Sequence, residues 1–412
     1  MDRIKKSLQE KRFVFWEEIA RDGAQAKTIL SAKQRIEIAR IHGNLFNDNG
    51  PDHLVFAVGF ISIASQEKEI IKEVADNIDN CYVAVNCRSK KEEILDSIDA
   101  IKNAKYPRVA FVLPGSERLC EIMMHKKPSE VFKIGMDIAK FTLDKAKSIP
   151  VDLQIAAAYD ADPIFISEIG QAMTELGIAT IGLGDTRGQM YPNEIDEFYN
   201  QLLKNTSSPI LYAPHLHNDL EFAVENTLRG MKRGINFAST SWLGLAERSG
   251  LARTELLTFL LAHEPDKLKS RLGIDGENLF LSPLNLKLIP KIADLVSQYT
   301  GVPLKVTDPI VGTGLNSIST GTPFVDTISF QPFNPESILG LEKVIYVTHL
   351  ANRRVIIETG AKLGYKFTDE NVMEILKIVK EKAYKINRAI VPIEELIELY
   401  EKYGEKINIK NI

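Results

Sequence analysis

Eight short apolar, β-branched runs recur along the chain with helical stretches between them: residues 13–19, 54–60, 82–85, 109–113, 151–157, 179–183, 209–213 and 235–242. Runs of this length bounded by polar segments suit strands buried on both faces, as in a parallel sheet. The segments between them, such as Glu67-Lys68-Glu69-Ile70-Ile71-Lys72-Glu73-Val74, place apolar residues at helical spacing and turn charges outward. Eight strand–helix units within residues 1–265 are the content of a (β/α)8 TIM barrel, whose active site lies at the C-terminal ends of the strands. A doubly wound sheet alternates in the same way but favours a glycine-rich turn after its first strand, and Arg21-Asp22-Gly23 is not that turn.

After Glu264-Pro265 the texture changes. Residues 284–296 read as a helix, 302–333 are rich in Gly, Pro, Ser and Thr, and 370–388 and 393–403 read as amphipathic helices. Residues 266–412 are therefore expected to form a smaller, mostly helical C-terminal accessory region that covers substrate or forms a dimer.

A net charge of −4 and an isoelectric point near 6.1 lack the basic excess that nucleic acid or an anionic membrane would demand. No run approaches the roughly 18 apolar residues of a membrane span. Cys81, Cys87 and Cys120 have no zinc-like spacing and leave one unpaired in any disulfide scheme. With no apolar stretch in the charged N-terminus, they fit a reducing, cytoplasmic setting.

Two segments carry candidate chemistry. Pro214-His215-Leu216-His217-Asn218-Asp219 closes the seventh run, and strand alternation turns both imidazoles to one side of the backbone. Arg21-Asp22-Gly23-Ala24-Gln25 follows the first run. Barrel closure makes the first and eighth strands neighbours, so Asp22, His215 and His217 can meet around one divalent cation, leaving an open coordination position. The plainer alternatives are a solvated polar strand end for the histidines and a surface ion pair for Arg21 and Asp22.

At these residues the sequence resembles the metal-dependent TIM-barrel superfamily of 2-isopropylmalate, homocitrate and citramalate synthases and 3-hydroxy-3-methylglutaryl-CoA (HMG-CoA) lyase. The Arg-Asp-Gly-x-Gln opening is one of its motifs, and His-x-His-Asn-Asp with Ala223 and Asn226 is another. Gly184-Asp185-Thr186-Arg187-Gly188 is similar to the family's turn after strand six. Gly244-Leu245-Ala246-Glu247-Arg248-Ser249-Gly250 is similar to the loop after strand eight in the condensing branch. The resemblance implies an acyltransferase that joins acetyl-CoA, as co-substrate, to a 2-oxo acid, giving a 2-substituted malate. It implies Asp22, His215 and His217 as ligands of Mg²⁺, Mn²⁺ or Zn²⁺, Arg21 and Glu247 as catalytic groups, and Gln25, Arg88, Thr186 and Asp160 as substrate contacts. A homodimer formed through the barrel and the C-terminal region is expected, in the cytoplasmic setting that the cysteines suit. The alternatives are lyase-like carbon–carbon cleavage and a degenerate barrel without activity.

Departures from the family pattern leave the proton-transfer group open. Ala156 stands where synthases carry a glutamate on strand five, Ala57 where lyases carry one on strand two, and Leu251 where an asparagine is common. The accessory histidine motif reads Ile318-Ser319-Thr320-Gly321-Thr322-Pro323, and a family tyrosine is replaced by Phe330. Glu18, Tyr159, Asp160 and Glu247 are the remaining candidates. Asp160 also occupies the position of an arginine that grips a distal carboxylate, which disfavours 2-oxoglutarate and oxaloacetate. The chain ends at Ile412 without evident material for an amino-acid-binding regulatory domain, so no end-product inhibition is expected.

Overall fold

The computed structural model describes residues 2–204, 206, 209–324 and 328–407; part of the Gly/Pro-rich stretch, residues 325–327, lies outside the described residues. Eight parallel strands close into a barrel in sequence order: β1 (Val14–Glu17), β2 (Leu54–Phe60), β3 (Tyr82–Arg88), β4 (Pro107–Pro114), β5 (Val151–Ala156), β6 (Ile181–Asp185), β7 (Tyr212–Leu216) and β8 (Phe237–Thr240). Closure is made by β1 against β8, with Val14 opposite Phe237 and Glu17 opposite Thr240. Each expected run overlaps a strand, β7 only at residues 212–213, because residues such as Phe15, Val55, Val83, Phe111 and Leu153 are shut off from water by barrel and helices alike.

The N-terminal end of the barrel is plugged. Helix Arg3–Gln9 lays Ile4 and Leu8 over a core of Val14, Trp16, Val55, Ala84 and Phe237. Beside it Arg108 on β4 is fully buried and grips Asp152 on β5 through two bonds of 2.8 and 2.7 Å, while its third nitrogen holds Asp2. A buried guanidinium is tolerable only with its donors met in this way.

The molecule divides into two compact units at Pro303 and Leu304, whereas the sequence texture placed the boundary at 265. The reason is packing. Phe280 stacks on Phe15, the Asn285 N–H donates to the Leu45 carbonyl, and helix Leu288–Thr300 buries Ile289, Ile292 and Val296 as part of the barrel unit.

The second unit is mostly helical. Helices Arg353–Lys362, Asp369–Ile386 and Ile393–Tyr403 surround Val355, Ile356, Ile375, Val379 and Tyr400. Asn352 and Thr368 cap the first two of these helices by accepting from backbone N–H groups. Among the described residues no helix is long and apolar enough to cross a membrane.

Candidate active site

The turn after β1 is built on one residue. The Glu18 carbonyl accepts from the N–H groups of Arg21, Asp22 and Gly23 at 3.0, 2.8 and 3.0 Å, which swings Arg21 and Asp22 over the barrel mouth. The turn after β8 meets it, since the Glu247 N–H donates to Asp22 Oδ1 at 3.0 Å. That second turn closes tightly: Gly250 has φ +93°, and a Cβ there would lie 1.8 Å from the Gly244 carbonyl oxygen, so no side chain fits. The Gly250 carbonyl also accepts from Asn218, tying the turn to the end of β7.

Asp22, His215 and His217 come together, with one ligand atom from each lying within 4.8 Å of the others. His215 Nε2 is 3.4 Å from Asp22 Oδ2, and the two imidazole centroids are 5.2 Å apart. His217 Nδ1 is buried and has no hydrogen-bond partner among the described residues. An orphaned imidazole nitrogen beside a carboxylate and a second imidazole fits a divalent cation, which would repay that unmet bond.

The charges agree with the geometry. Burial raises the Asp22 carboxyl, but Arg21, His215 and His217 outweigh it and hold it well below the carboxylate range. Burial also opposes the charge on His215, yet Asp22 and Glu18 together raise it above the ordinary imidazole value. His217 is pushed down to about 4, first by burial and then by His215. The surroundings of His217 thus favour the neutral, ligating imidazole, whereas those of His215 favour its protonated form, against which a metal ion would compete.

Arg21, Asp22, Gln25, Asn86, Gln154, Ala156, Thr186, His215, His217 and Glu247 line one cleft of about 160 Å³. Thr186 Oγ1 accepts from the Ala157 N–H at 2.7 Å, so its own hydroxyl hydrogen is free to turn to a ligand. The Thr186 hydroxyl therefore does not cap the helix Pro192–Lys204. A cavity of about 740 Å³ adjoins at Thr186 and is walled by Leu119, Ile122, Ala157, Asp160 and two arginines, Arg118 and Arg187.

Other expected residues stand elsewhere. Arg88 is exposed and paired with Glu93 at 2.6 Å, outside the cleft lining. Asp160 lines the neighbouring cavity, and its Oδ1 accepts from Arg187 and Gln189 at 2.7 and 2.8 Å. Asp219 does not orient the histidines; it takes Arg248 through two bonds, while the same guanidinium donates to the Thr186 carbonyl. Arg248 therefore knits together the turns after β6, β7 and β8. Tyr159 is buried with its hydroxyl 2.8 Å from that of Tyr199, and burial raises it further from deprotonation. Ala57 lies in the barrel core, Ala156 faces the cleft, and Leu251 is buried and bridged to His217. Asn86 escaped the motif reading; a polar residue directly after the apolar run 82–85 was the signal for it.

An eight-stranded βα barrel with a carboxylate and two imidazoles gathered beside an arginine at its C-terminal mouth is the class of protein at hand. Residues 13–296 match the HMGL-like family, and the chain belongs to it. It is 28% identical over 382 residues to methylthioalkylmalate synthase 3, chloroplastic, of Arabidopsis thaliana, covering 88% of this chain and 73% of that protein. It is 26% identical over 404 residues to 2-isopropylmalate synthase of Carboxydothermus hydrogenoformans, covering 94% of this chain and 74% of the relative. The crystal structure of HMG-CoA lyase from Brucella melitensis shares the fold, with a TM-score of 0.54 and 14% identity over 70% of this chain and 99% of that one.

Proposed function

We propose that this protein is an acyltransferase of the 2-isopropylmalate synthase type, condensing acetyl-CoA or another short acyl-CoA with a 2-oxo acid. The acyl methyl carbon, once deprotonated, bonds to the ketone carbon, and hydrolysis of the thioester gives a 2-substituted malate and free CoA. The observation that carries this reading is the meeting of Asp22, His215 and His217 beside Arg21 in a member of the HMGL-like family. Condensation is favoured over cleavage because the synthase relatives align across both units, with 94% of the chain covered, whereas the lyase fold covers 70%.

Asp22, His215 and His217 would hold Mg²⁺, Mn²⁺ or Zn²⁺, which when bound supplies Lewis-acid polarisation of the ketone. Arg21 sets a fixed positive charge where negative charge develops on oxygen. The Thr186 hydroxyl binds the oxo-acid carboxylate, and Gln25 lies beside it in the cleft. Glu247 is the candidate for moving the methyl proton: it lines the cleft, paired there with Arg248 at 3.1 Å, whereas Glu18, Tyr159 and Asp160 are outside the cleft lining and are held by Arg21, Tyr199 and Arg187. Free, buried cysteines support a reducing, cytoplasmic setting, and the reading includes a homodimer, which light scattering checks.

The test is thiol release from acetyl-CoA over a panel of 2-oxo acids with Mn²⁺. Release with at least one oxo acid is expected. No release from any, beside cleavage of a 3-hydroxy-3-methylglutaryl thioester, would reverse the assignment to a lyase. Silence in both would leave a barrel without this chemistry.

A further inference from the structure

Like the proposed ligand Asp22, Glu18 is a carboxylate at the barrel mouth that faces both Arg21 and His215 while being cut off from solvent itself. It is 1% exposed. Its Oε2 accepts from Arg21 Nε at 2.8 Å and its Oε1 from an Arg21 terminal nitrogen at 2.6 Å, a forked pairing that fixes the plane of the guanidinium. The same Oε1 lies 3.5 Å from His215 Nδ1, on the edge of the ring opposite Nε2, which lies 3.4 Å from Asp22 Oδ2. Arg21 is held from its other side by Asp22 at 3.0 Å. Glu18, Arg21, Asp22 and His215 therefore form a closed ring of contacts, and Glu18 is its only member outside both the proposed ligand set and the proposed charge over the substrate.

We propose that Glu18 is a positioning residue for the site: it keeps the Nδ1–H tautomer of His215, so that Nε2 presents its lone pair to the metal, and it locks Arg21 over the reacting oxygen. The inference rests on the reading of Asp22, His215 and His217 as metal ligands. A ligating imidazole is routinely oriented by an acceptor on its other nitrogen, and loss of that acceptor weakens metal binding by about 10- to 100-fold. Here the acceptor comes from the same turn as the Asp22 ligand and the Arg21 charge. One side chain thus aligns the ion and the oxyanion partner together.

The position of Glu18 also explains why a buried carboxylate this close to the cleft need not be the base. Both of its oxygens are occupied by Arg21, and it is not among the residues that line the cleft.

The test replaces Glu18 in two ways. Glu18→Leu keeps the volume and removes both interactions; Glu18→Gln keeps an acceptor for Nδ1 but puts an amide donor against one arm of the guanidinium fork. Metal affinity is read by competition with a chromophoric chelator, the Co²⁺ absorption spectrum reports the ligand field, and thermal melting of the metal-free proteins reports folding. Weakening of the metal by about tenfold or more is expected in Glu18→Leu, with an altered Co²⁺ spectrum. In Glu18→Gln the affinity changes little, whereas kcat falls with KM for the oxo acid nearly unchanged. If Glu18→Leu does not fold, Glu18→Gln carries the test through its kcat and KM split. Metal affinity and Co²⁺ spectrum equal to wild type in Glu18→Leu, or an unaltered kcat in Glu18→Gln, would overturn the proposal. A wild-type protein that binds no ion would instead overturn the metal reading on which the proposal rests.

Discussion

His215 and His217 sit two residues apart on one strand end, yet their surroundings pull them in opposite directions. His215 is raised by Asp22 and Glu18, while burial and its charged neighbour drive His217 to about 4. Near pH 6.5 a divalent ion therefore has to displace a proton from His215 and none from His217. Calorimetric titration in buffers of different ionisation enthalpy is expected to show net release of protons as the ion binds, and affinity that rises with pH. Binding without proton release would contradict this assignment of charge. Arg21 gives a second expectation: Arg21→Ala lowers kcat by about 10²-fold or more, the scale of a lost oxyanion partner, and kinetics with the metal-loaded variant checks it.

Glu17, one residue before Glu18, is a separate matter. It is fully buried, accepts from the N–H groups of Ile19 and Trp242 and from the Thr254 hydroxyl, and burial pushes its carboxyl up to about 8. Between its unfolded value of about 4.5 and 8 the folded protein holds the extra proton, so this residue's contribution to stability falls as pH rises through that window. His42, lowered to about 3 by burial, works the other way only below its ordinary value of 6.5. Urea unfolding of the metal-free protein should accordingly lose stability between pH 6.5 and 8, and Glu17→Gln should flatten that slope. A slope unchanged in Glu17→Gln would place the extra proton elsewhere.

Among the elements, the strands were legible because a strand buried on both faces has to be written as an uninterrupted apolar run, and each of the eight runs overlaps one. The convergence of Asp22 with the histidines was legible for a related reason, since closure of β1 on β8 leaves the turn after β1 next to the end of β7. Partnerships between distant side chains were not. Arg88 pairs with Glu93 in the helix that follows β3, and Asp219 takes Arg248 from another turn; no periodicity encodes either. The plug at the N-terminal end is likewise invisible in a charged opening segment, because Ile4 and Leu8 are the apolar residues that its helix buries, with Ser7 between them. Its buried ion pair makes an element-scale prediction. Arg108→Met leaves Asp152 buried without its partner and should cost about 3–5 kcal/mol in urea unfolding, whereas Arg108→Met with Asp152→Leu should recover much of that loss. A loss in the double variant equal to the sum of those in Arg108→Met and Asp152→Leu alone would mean that the pair is not coupled.

At the scale of the whole molecule, the change in composition at Glu264-Pro265 was a poor guide to the division at Pro303, because the polar segment beyond it carries a few large apolar anchors such as Phe280. Substrate choice also belongs to this scale, since the cavity beside the cleft is assembled from the turns after β4, β5 and β6. Asp160 is already satisfied by Arg187 and Gln189, and Leu119, Ile122 and Ala157 supply an apolar wall. Neutral oxo acids such as pyruvate or 2-oxoisovalerate are expected to turn over faster than 2-oxoglutarate under one condition. The reverse order would mean that Arg118 or Arg187 receives a distal carboxylate. A divalent ion on Asp22, His215 and His217 underlies every step above, and equilibrium dialysis with Mn²⁺ reads its binding without any substrate. One ion per chain is expected in the wild-type protein, with that binding lost in His217→Ala while circular dichroism shows the fold intact; undiminished binding in His217→Ala would remove these three residues as the ligands.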